Sequence, residues 1–247
     1  MDKTQDILSP SQTIVSLSPI APPPTMIPKT IHYCWFGRKP KPESVEAYIA
    51  TWKAFMPDYD IIEWNEDNFD IDFCDYSREA YATRNFAFVA DVCRLKVLYE
   101  HGGIYLDTDI EVLRPFDPYL HHRSFCGYEN RWIGTGVIGA EMGCHWIGIF
   151  LDYYRTTHFI DIFGHAVRKS NTRLLTTLIM PKIQEDQRPE IYPIDYFCAK
   201  NWETHELAVT PNTVSIHHYA CSWAKKKRSL ISRLRMRLQG LHIRYFH

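Results

Sequence analysis

Seven cysteines are scattered along the 247 residues, odd in number and without a single Cys-x-x-Cys pair. That argues against a zinc ribbon or a disulfide scaffold and for a reducing compartment. No apolar run approaches the ~20 residues that a membrane-spanning helix needs. A basic-then-apolar leader is also missing from the first residues, so a cytosolic protein is expected. Net charge is nearly absent: 28 Lys and Arg stand against 29 Asp and Glu. Bulk electrostatics therefore announce no nucleic-acid partner. Internal repeats are lacking as well.

The length suits one α/β domain with a sizeable core. Residues 1–25 are rich in Ser, Thr, Pro and Gln and include "APPPT"; they bury too little apolar surface to fold and read as a disordered tail. From residue 26 the pattern changes. "IPKTIHYCWFG" (27–37) gives a strand over 30–35. "PKPESVEAYIATWKAFMP" gives a helix with Val45, Tyr48, Ile49, Trp52 and Phe55 on one face, and "YDIIEW" (59–64) a second strand. A helix is predicted over 84–100, stopped by Gly102 and Gly103, and "IYLDTDIEVL" (104–113) follows as a third strand. This alternation indicates a nucleotide-binding α/β half, with ligands beyond the C-terminal strand ends, where Asp107 and Asp109 fall. Further on, "WIGTGVIGA" (132–140) reads as a Gly-punctuated strand. "IGIFLDYYRTTHF" and "NTRLLTTLIMPKI" read as helices, and "TVSIHHYACSW" (213–223) as a late strand.

Two carboxylates at i and i+2 of an extended segment point the same way and repel unless a cation or donors lie between them. Hard oxygen ligands suit Mg²⁺ or Mn²⁺. On the preceding helix, Lys96 and Glu100 lie roughly opposite Asp91, so Asp91 and its i+3 neighbour Arg94 are expected to face inward with Phe88, Leu95 and Leu98. Taken alone, that pair is an intrahelical bridge. With Asp-x-Asp one strand later, a polyhydroxylated ligand is the better account. The same carboxylates would also serve a metal phosphohydrolase; their spacing is short for a glycosidase acid/base pair.

"FAFVADVCRLKVLYEHGGIYLDTDIEVL" (86–113) resembles the signature of the DxD sugar-transferase family (glycosyltransferase family 32), which includes yeast initiating mannosyltransferases and bacterial capsular-polysaccharide enzymes. It is also similar to the glucosylating domains of clostridial toxins. "IPKTIHYCWFG", "PDYDIIEWNEDNFD", "IYPIDYFCAKNW" and "SIHHYACSW" resemble flanking blocks of the bacterial branch, in matching order. The resemblance implies an α/β GT-A fold, a Rossmann-like nucleotide-sugar-binding single domain over 26–223. It implies a retaining, metal-dependent transfer from a UDP- or GDP-sugar to a glycan or lipid-linked oligosaccharide. By the same resemblance Trp35 stacks on the base; Asp91, Arg94 and Tyr105 line the donor-sugar pocket. Asp107 contacts ribose and sugar hydroxyls, and Asp107 and Asp109 hold Mn²⁺ or Mg²⁺. Trp223 closes over the diphosphate, and Ser222 bonds a phosphate oxygen. One histidine completes the metal shell; His217 and His218 face opposite sides of a strand, and spacing back from Trp223 favours His218. Two departures stand out: "SNTRLLTT" (170–177) where a Thr-Gly-Pro element is common, and Cys221 where a small residue is usual.

Residues 224–247 carry eight Lys and Arg, no acidic residue, and Leu230, Ile231, Leu234, Leu238 and Leu241 at helical spacing. That is the pattern of an amphipathic helix on an anionic membrane surface. The expectation is a peripheral enzyme on the cytoplasmic face of the membrane, acting in capsular, surface-polysaccharide or lipooligosaccharide assembly. A catalytically inactive binding protein is the non-enzymatic alternative.

Overall fold

A computed structural model describes residues 27–220 and 230–246. The expected tail 1–25, Cys221, Ser222, Trp223 and the lysines of 225–227 lie outside the described residues. The first half follows the expected alternation. Strand β1 (Thr30–Cys34) leads through helix α1 (Glu43–Phe55) to β2 (Asp60–Trp64), then through α2 (Asp75–Ala82) and α3 (Phe86–His101) to β3 (Gly103–Leu106). Glu43 and Glu46 in the first turn of α1 suit the positive end of its dipole. Val45, Ile49 and Trp52 at i, i+4 and i+7 bury its inner face.

The predicted strand over 104–113 is two strands. β3 stops at Leu106, and β4 (Ile110–Val112) joins a separate sheet. Between them Asp107–Asp109 turn, with Ile110 N–H donating to Asp107 O at 3.0 Å. The apolar pattern runs through the break, whereas the two carboxylates cannot be carried through a buried sheet. After β5 (Ser124–Glu129) and β6 (Trp132–Ala140) come α4 (His145–Arg155), the single-turn α5 (Asn171–Leu174), β7 (Glu190–Tyr192), α6 (Ile194–Phe197) and β8 (Ser215–His217), then α7 (Leu230–Phe246). The helix read over 171–183 is α5 continued by a π-turn at Leu175–Ile179 and a 3₁₀ turn at Met180–Lys182. The late strand is shorter than expected.

The fold is α/β, around a six-stranded mixed sheet of order β2-β1-β3-β6-β5-β7, with β4 and β8 paired alongside. Strands β2, β1 and β3 are parallel, and β6 runs antiparallel to β3. Helix α3 is apolar nearly all round because it is covered on both sides: Val89, Val92, Cys93, Leu95 and Leu98 are fully buried. The six described cysteines are free and buried, and no described helix is long and apolar enough to cross a membrane.

Two glycines stop α3. Gly102 and Gly103 take φ of +65° and +104°, and a Cβ on Gly103 would lie 2.6 Å from Thr30 O. Beneath them, buried His32 places Nε2 2.9 Å from Gly102 O, while Trp64 Nε1 donates to its Nδ1 at 3.0 Å. Those partners fix the proton on Nε2 of a neutral ring. Burial pushes its pKa down to about 4.

In the sheet, β6 departs from regular pairing with β5. Cys126 faces Ile138 and Tyr128 faces Ile133, so the single residue Gly127 is set against residues 134–137. The extra residues bow out of the ladder, and their small side chains, Gly134 and Gly136 among them, let them do so.

Candidate active site

The parallel strands β1 and β3 pair His32 with Tyr105, so Trp35 and Asp107 emerge past the same strand ends. Half-buried Trp35 donates its indole N–H to Lys39 O at 2.6 Å. On α3, Asp91 and Arg94 face inward as the helical spacing predicts; they are 8% and 5% exposed. Arg94 is the hub. Its Nη2 lies 3.0 Å from Asp91 Oδ1 and 3.2 Å from Asp107 Oδ1, and its Nη1 donates to Thr135 O at 2.5 Å. The guanidinium covers the Tyr105 ring at 4.6 Å, and Tyr105 Oη donates to Asp107 Oδ1 at 3.1 Å. Thr135 is available to Arg94 because it belongs to the irregular stretch of β6. The neighbouring Gly136 O likewise accepts from Asp107 N at 2.8 Å.

Charge in this pocket is only partly compensated. Burial pushes the Asp91 carboxyl up to about 7; the Arg94 charge opposes this and the Asp107 charge adds to it. Arg94 Nε is buried without a hydrogen-bond partner among the described residues, and the Asn171 side chain lies close enough to Asp91 to lower its pKa. Asn171 comes from the "SNTRLLTT" stretch, and its Oδ1 accepts from Tyr154 Oη at 2.8 Å. A buried donor left open beside a buried carboxyl suits a ligand rich in hydroxyl groups.

The other side of the pocket corrects the sequence reading. His217, not His218, stands with the aspartates: one ligand atom from each of Asp107, Asp109 and His217 falls within 4.8 Å of the others. Ile110 pairs with His217 across β4 and β8, which turns the His217 ring onto the Asp-x-Asp turn. His218 points the opposite way, its Nε2 2.7 Å from Glu111 Oε2 and its ring stacked 4.6 Å from Tyr48. Spacing from Trp223 misassigned the pair because strand pairing decides the face. His217 Nε2 lies 3.2 Å from Asp109 Oδ1, and Ala220 N donates to Asp109 Oδ2 at 2.8 Å. Burial alone would push the Asp109 carboxyl up, but these bonds hold it below its ordinary value. Burial likewise opposes the His217 charge, and Asp109 outweighs it, so its pKa is raised.

Two carboxylates and an imidazole within this spacing fit Mn²⁺ or Mg²⁺. Gly136 keeps the cradle open: a Cβ there would lie 3.1 Å from Asp107 Oδ2 and 3.2 Å from His217 Cε1. One further acidic residue was missed. Glu129, at the end of β5, has its carboxyl raised by burial, opposed by His217 and reinforced by the Asp107 and Asp109 charges. Nothing local in "GYENRW" marks it; only the pairing of β5 with β6 brings it near.

Residues 42–126 match the family described as "Glycosyltransferase sugar-binding region containing DXD motif". Over 132 residues the chain is 32% identical to inositol phosphoceramide mannosyltransferase 3 of Schizosaccharomyces pombe, covering 47% of this chain and 33% of that protein. Over 46 residues it is 48% identical to glucan organizing enzyme 1 of Cryptococcus neoformans, covering 19% and 13% of the two chains. The chain thus spans a third or less of these curated relatives. A solved glycosyltransferase involved in glycosylation of the major capsid of PBCV-1 aligns over 85% of this chain and 98% of its own, with 11% identity and a TM-score of 0.47. The matched residues 42–126 include Asp107-Thr108-Asp109, an Asp-x-Asp triplet of the kind that the family description names.

Proposed function

We propose that this chain is a metal-dependent, retaining glycosyltransferase that uses a nucleotide-sugar donor. The observation that carries the reading is the convergence of His217 on Asp107, Asp109 and Arg94, the last three of which lie within the matched sugar-binding region. A divalent cation held by those three residues supplies charge neutralisation for a diphosphate leaving group. Arg94 and Tyr105 orient Asp107 so that its second oxygen faces ribose and sugar hydroxyls. Asp91 accepts a hydrogen bond from the donor sugar, and Trp35 stacks on the base. In this scheme the acceptor hydroxyl attacks from the face the phosphate leaves, and a phosphate oxygen takes its proton. Ser222 and Trp223 complete the diphosphate side.

The acceptor class is a glycan or lipid-linked oligosaccharide of a capsule, surface polysaccharide or lipooligosaccharide. The basic segment 224–247 holds the enzyme at an anionic, cytoplasmic membrane face. The name of the fission-yeast relative makes a mannose donor the first to try. The test is a panel of UDP- and GDP-sugars with Mn²⁺, read by donor hydrolysis and thermal shift. Turnover of one nucleotide sugar that is abolished by EDTA is expected. Full activity in EDTA would sink the metal-dependent scheme. Phosphate release from simple esters without any nucleotide-sugar turnover would favour a phosphohydrolase, and donor binding without turnover a binding protein.

A further inference from the structure

Helix α7 meets the body of the protein through glycine on both sides. A Cβ on Gly240 would lie 2.3 Å from Gly164 O, and one on Gly164 (φ +80°) would lie 2.4 Å from Arg237 O. Ile243 is buried in the core cluster that holds the apolar residues of α3, and Arg244 Nη1 donates to Ile160 O. The helix also rests on α2, which packs on α3. It is therefore docked in one orientation relative to the helix that carries Asp91 and Arg94.

Its opposite side is uncovered. Leu234, Leu238 and Tyr245, at i, i+4 and i+11, form one exposed stripe, with half-buried Leu241 at i+7 between it and the body. That stripe runs toward the turn at residues 161–165, where Leu241 Cγ would lie 2.8 Å from a Cβ on Gly164. At the tip of this turn stand Ile162 and Phe163, although exposed turn tips are ordinarily polar. The turn is firmly made: Asp161 Oδ1 accepts from Phe163 N at 2.9 Å and from His165 N at 2.8 Å, which also occupies its one carboxylate. Ile162, Phe163, Leu234, Leu238 and Tyr245 are each 56–61% exposed. Around them the charge is mainly basic, with Asp161 the acidic residue of the turn. Arg237 Nε donates to Phe163 O at 2.9 Å, and residues 224–247 contain eight basic and no acidic residues.

We infer that the α7 stripe and the Ile162–Phe163 turn form a single plane that docks on an anionic lipid surface. The inference rests on the membrane reading of residues 224–247 and adds a second element, some seventy residues earlier in the chain. Exposed apolar residues beside a strongly basic segment match an interface of acyl chains beneath anionic headgroups. A plane built from a docked helix and a tight turn also sets which way the sugar-binding pocket faces when the protein is bound.

The test is co-sedimentation of the full chain with phosphatidylcholine vesicles, with and without phosphatidylserine. Wild type should partition onto the phosphatidylserine vesicles and be released by high salt. Ile162→Asp combined with Phe163→Asp should weaken partitioning about tenfold or more, comparable to Leu234→Asp with Leu238→Asp. Its thermal stability and soluble donor hydrolysis should be unchanged, since both residues are exposed. If wild type ignores anionic vesicles, the membrane reading itself fails. If wild type binds and the Ile162/Phe163 variant binds equally well, the composite plane is overturned and the helix acts alone. A wild type that is dimeric without lipid, made monomeric by the same variant, would instead assign the plane to a second copy of the chain.

Discussion

The two walls of the candidate pocket are held by different forces. The α3 wall is an apolar helix packed on both sides, and its charged pair is locked by Thr135 O and the Tyr105 ring. The β4–β8 wall is a two-stranded sheet of three residue pairs, a size that is marginal by itself. Its far side is packed on α1, with Ile110 and Val112 fully buried and Trp52 Nε1 donating to Ile110 O, and its tie to the pocket is the Asp109–His217 pair with the Ala220 and His218 N–H groups. The first wall is thus set by folding and stands ready for a sugar. On its pocket side the second is closed by Asp109 and His217, the groups that a cation would engage.

The comparison can be broken from either side. Asp109→Ala should have the largest effect, lowering sugar transfer by about a thousandfold or more while leaving the α3 wall intact; steady-state rates with Mn²⁺ check this. Arg94→Met should strike the other wall through stability. It leaves Asp91 and Asp107 without their buried counter-charge, which costs about 3–5 kcal/mol by urea denaturation. A loss near zero would mean that the pair is solvated.

Acid should loosen the α3 wall by a separate route. His32 has its pKa pushed from 6.5 down to about 4 in the fold. Between those values the unfolded chain binds the proton and the folded one does not, so this contribution to stability falls as pH drops from 6.5 to 4. It amounts to about 3 kcal/mol once pH is below 4. His32→Gln should flatten that part of the stability–pH curve. The finest distinction concerns neighbours. His217→Ala should raise the Mn²⁺ concentration needed for half-maximal activity about a hundredfold, and His218→Ala, which loosens Glu111 and Tyr48, about tenfold. The reverse order would restore His218 as the ligand. Titration of activity with Mn²⁺ decides.

The parallel half of the sheet was legible because each element there has one dominant pattern. Val45, Ile49 and Trp52 repeat at helical spacing, and Lys96 and Glu100 mark the outer side of α3. The position of Asp107 at the end of β3 followed from the same reading. What was hidden depends on partners distant in sequence. The break at Asp107–Asp109 lies inside a continuous apolar pattern and is set by Gly136 O. The choice between His217 and His218 is set by pairing with Ile110, and the approach of Glu129 by the β5–β6 hairpin. β5 and β7 were not read at all: one is irregular in register, and the other is only three residues long. Asn171 sits in a stretch that resemblance marked only as a departure.

The irregular stretch of β6 also gives the protein a built-in reporter. Ile138, Gly139 and Ala140 are paired on both sides, with β3 and with β5, whereas residues 134–136 are in register with neither. Their amide hydrogens should exchange with solvent sooner than those of 138–140. Because Thr135 and Gly136 offer their carbonyls to the Arg94 side chain and the Asp107 backbone N–H, any ligand that tightens those two residues should slow exchange there first. The segment that the sheet leaves unpaired becomes the place where occupancy of the pocket can be read from the backbone.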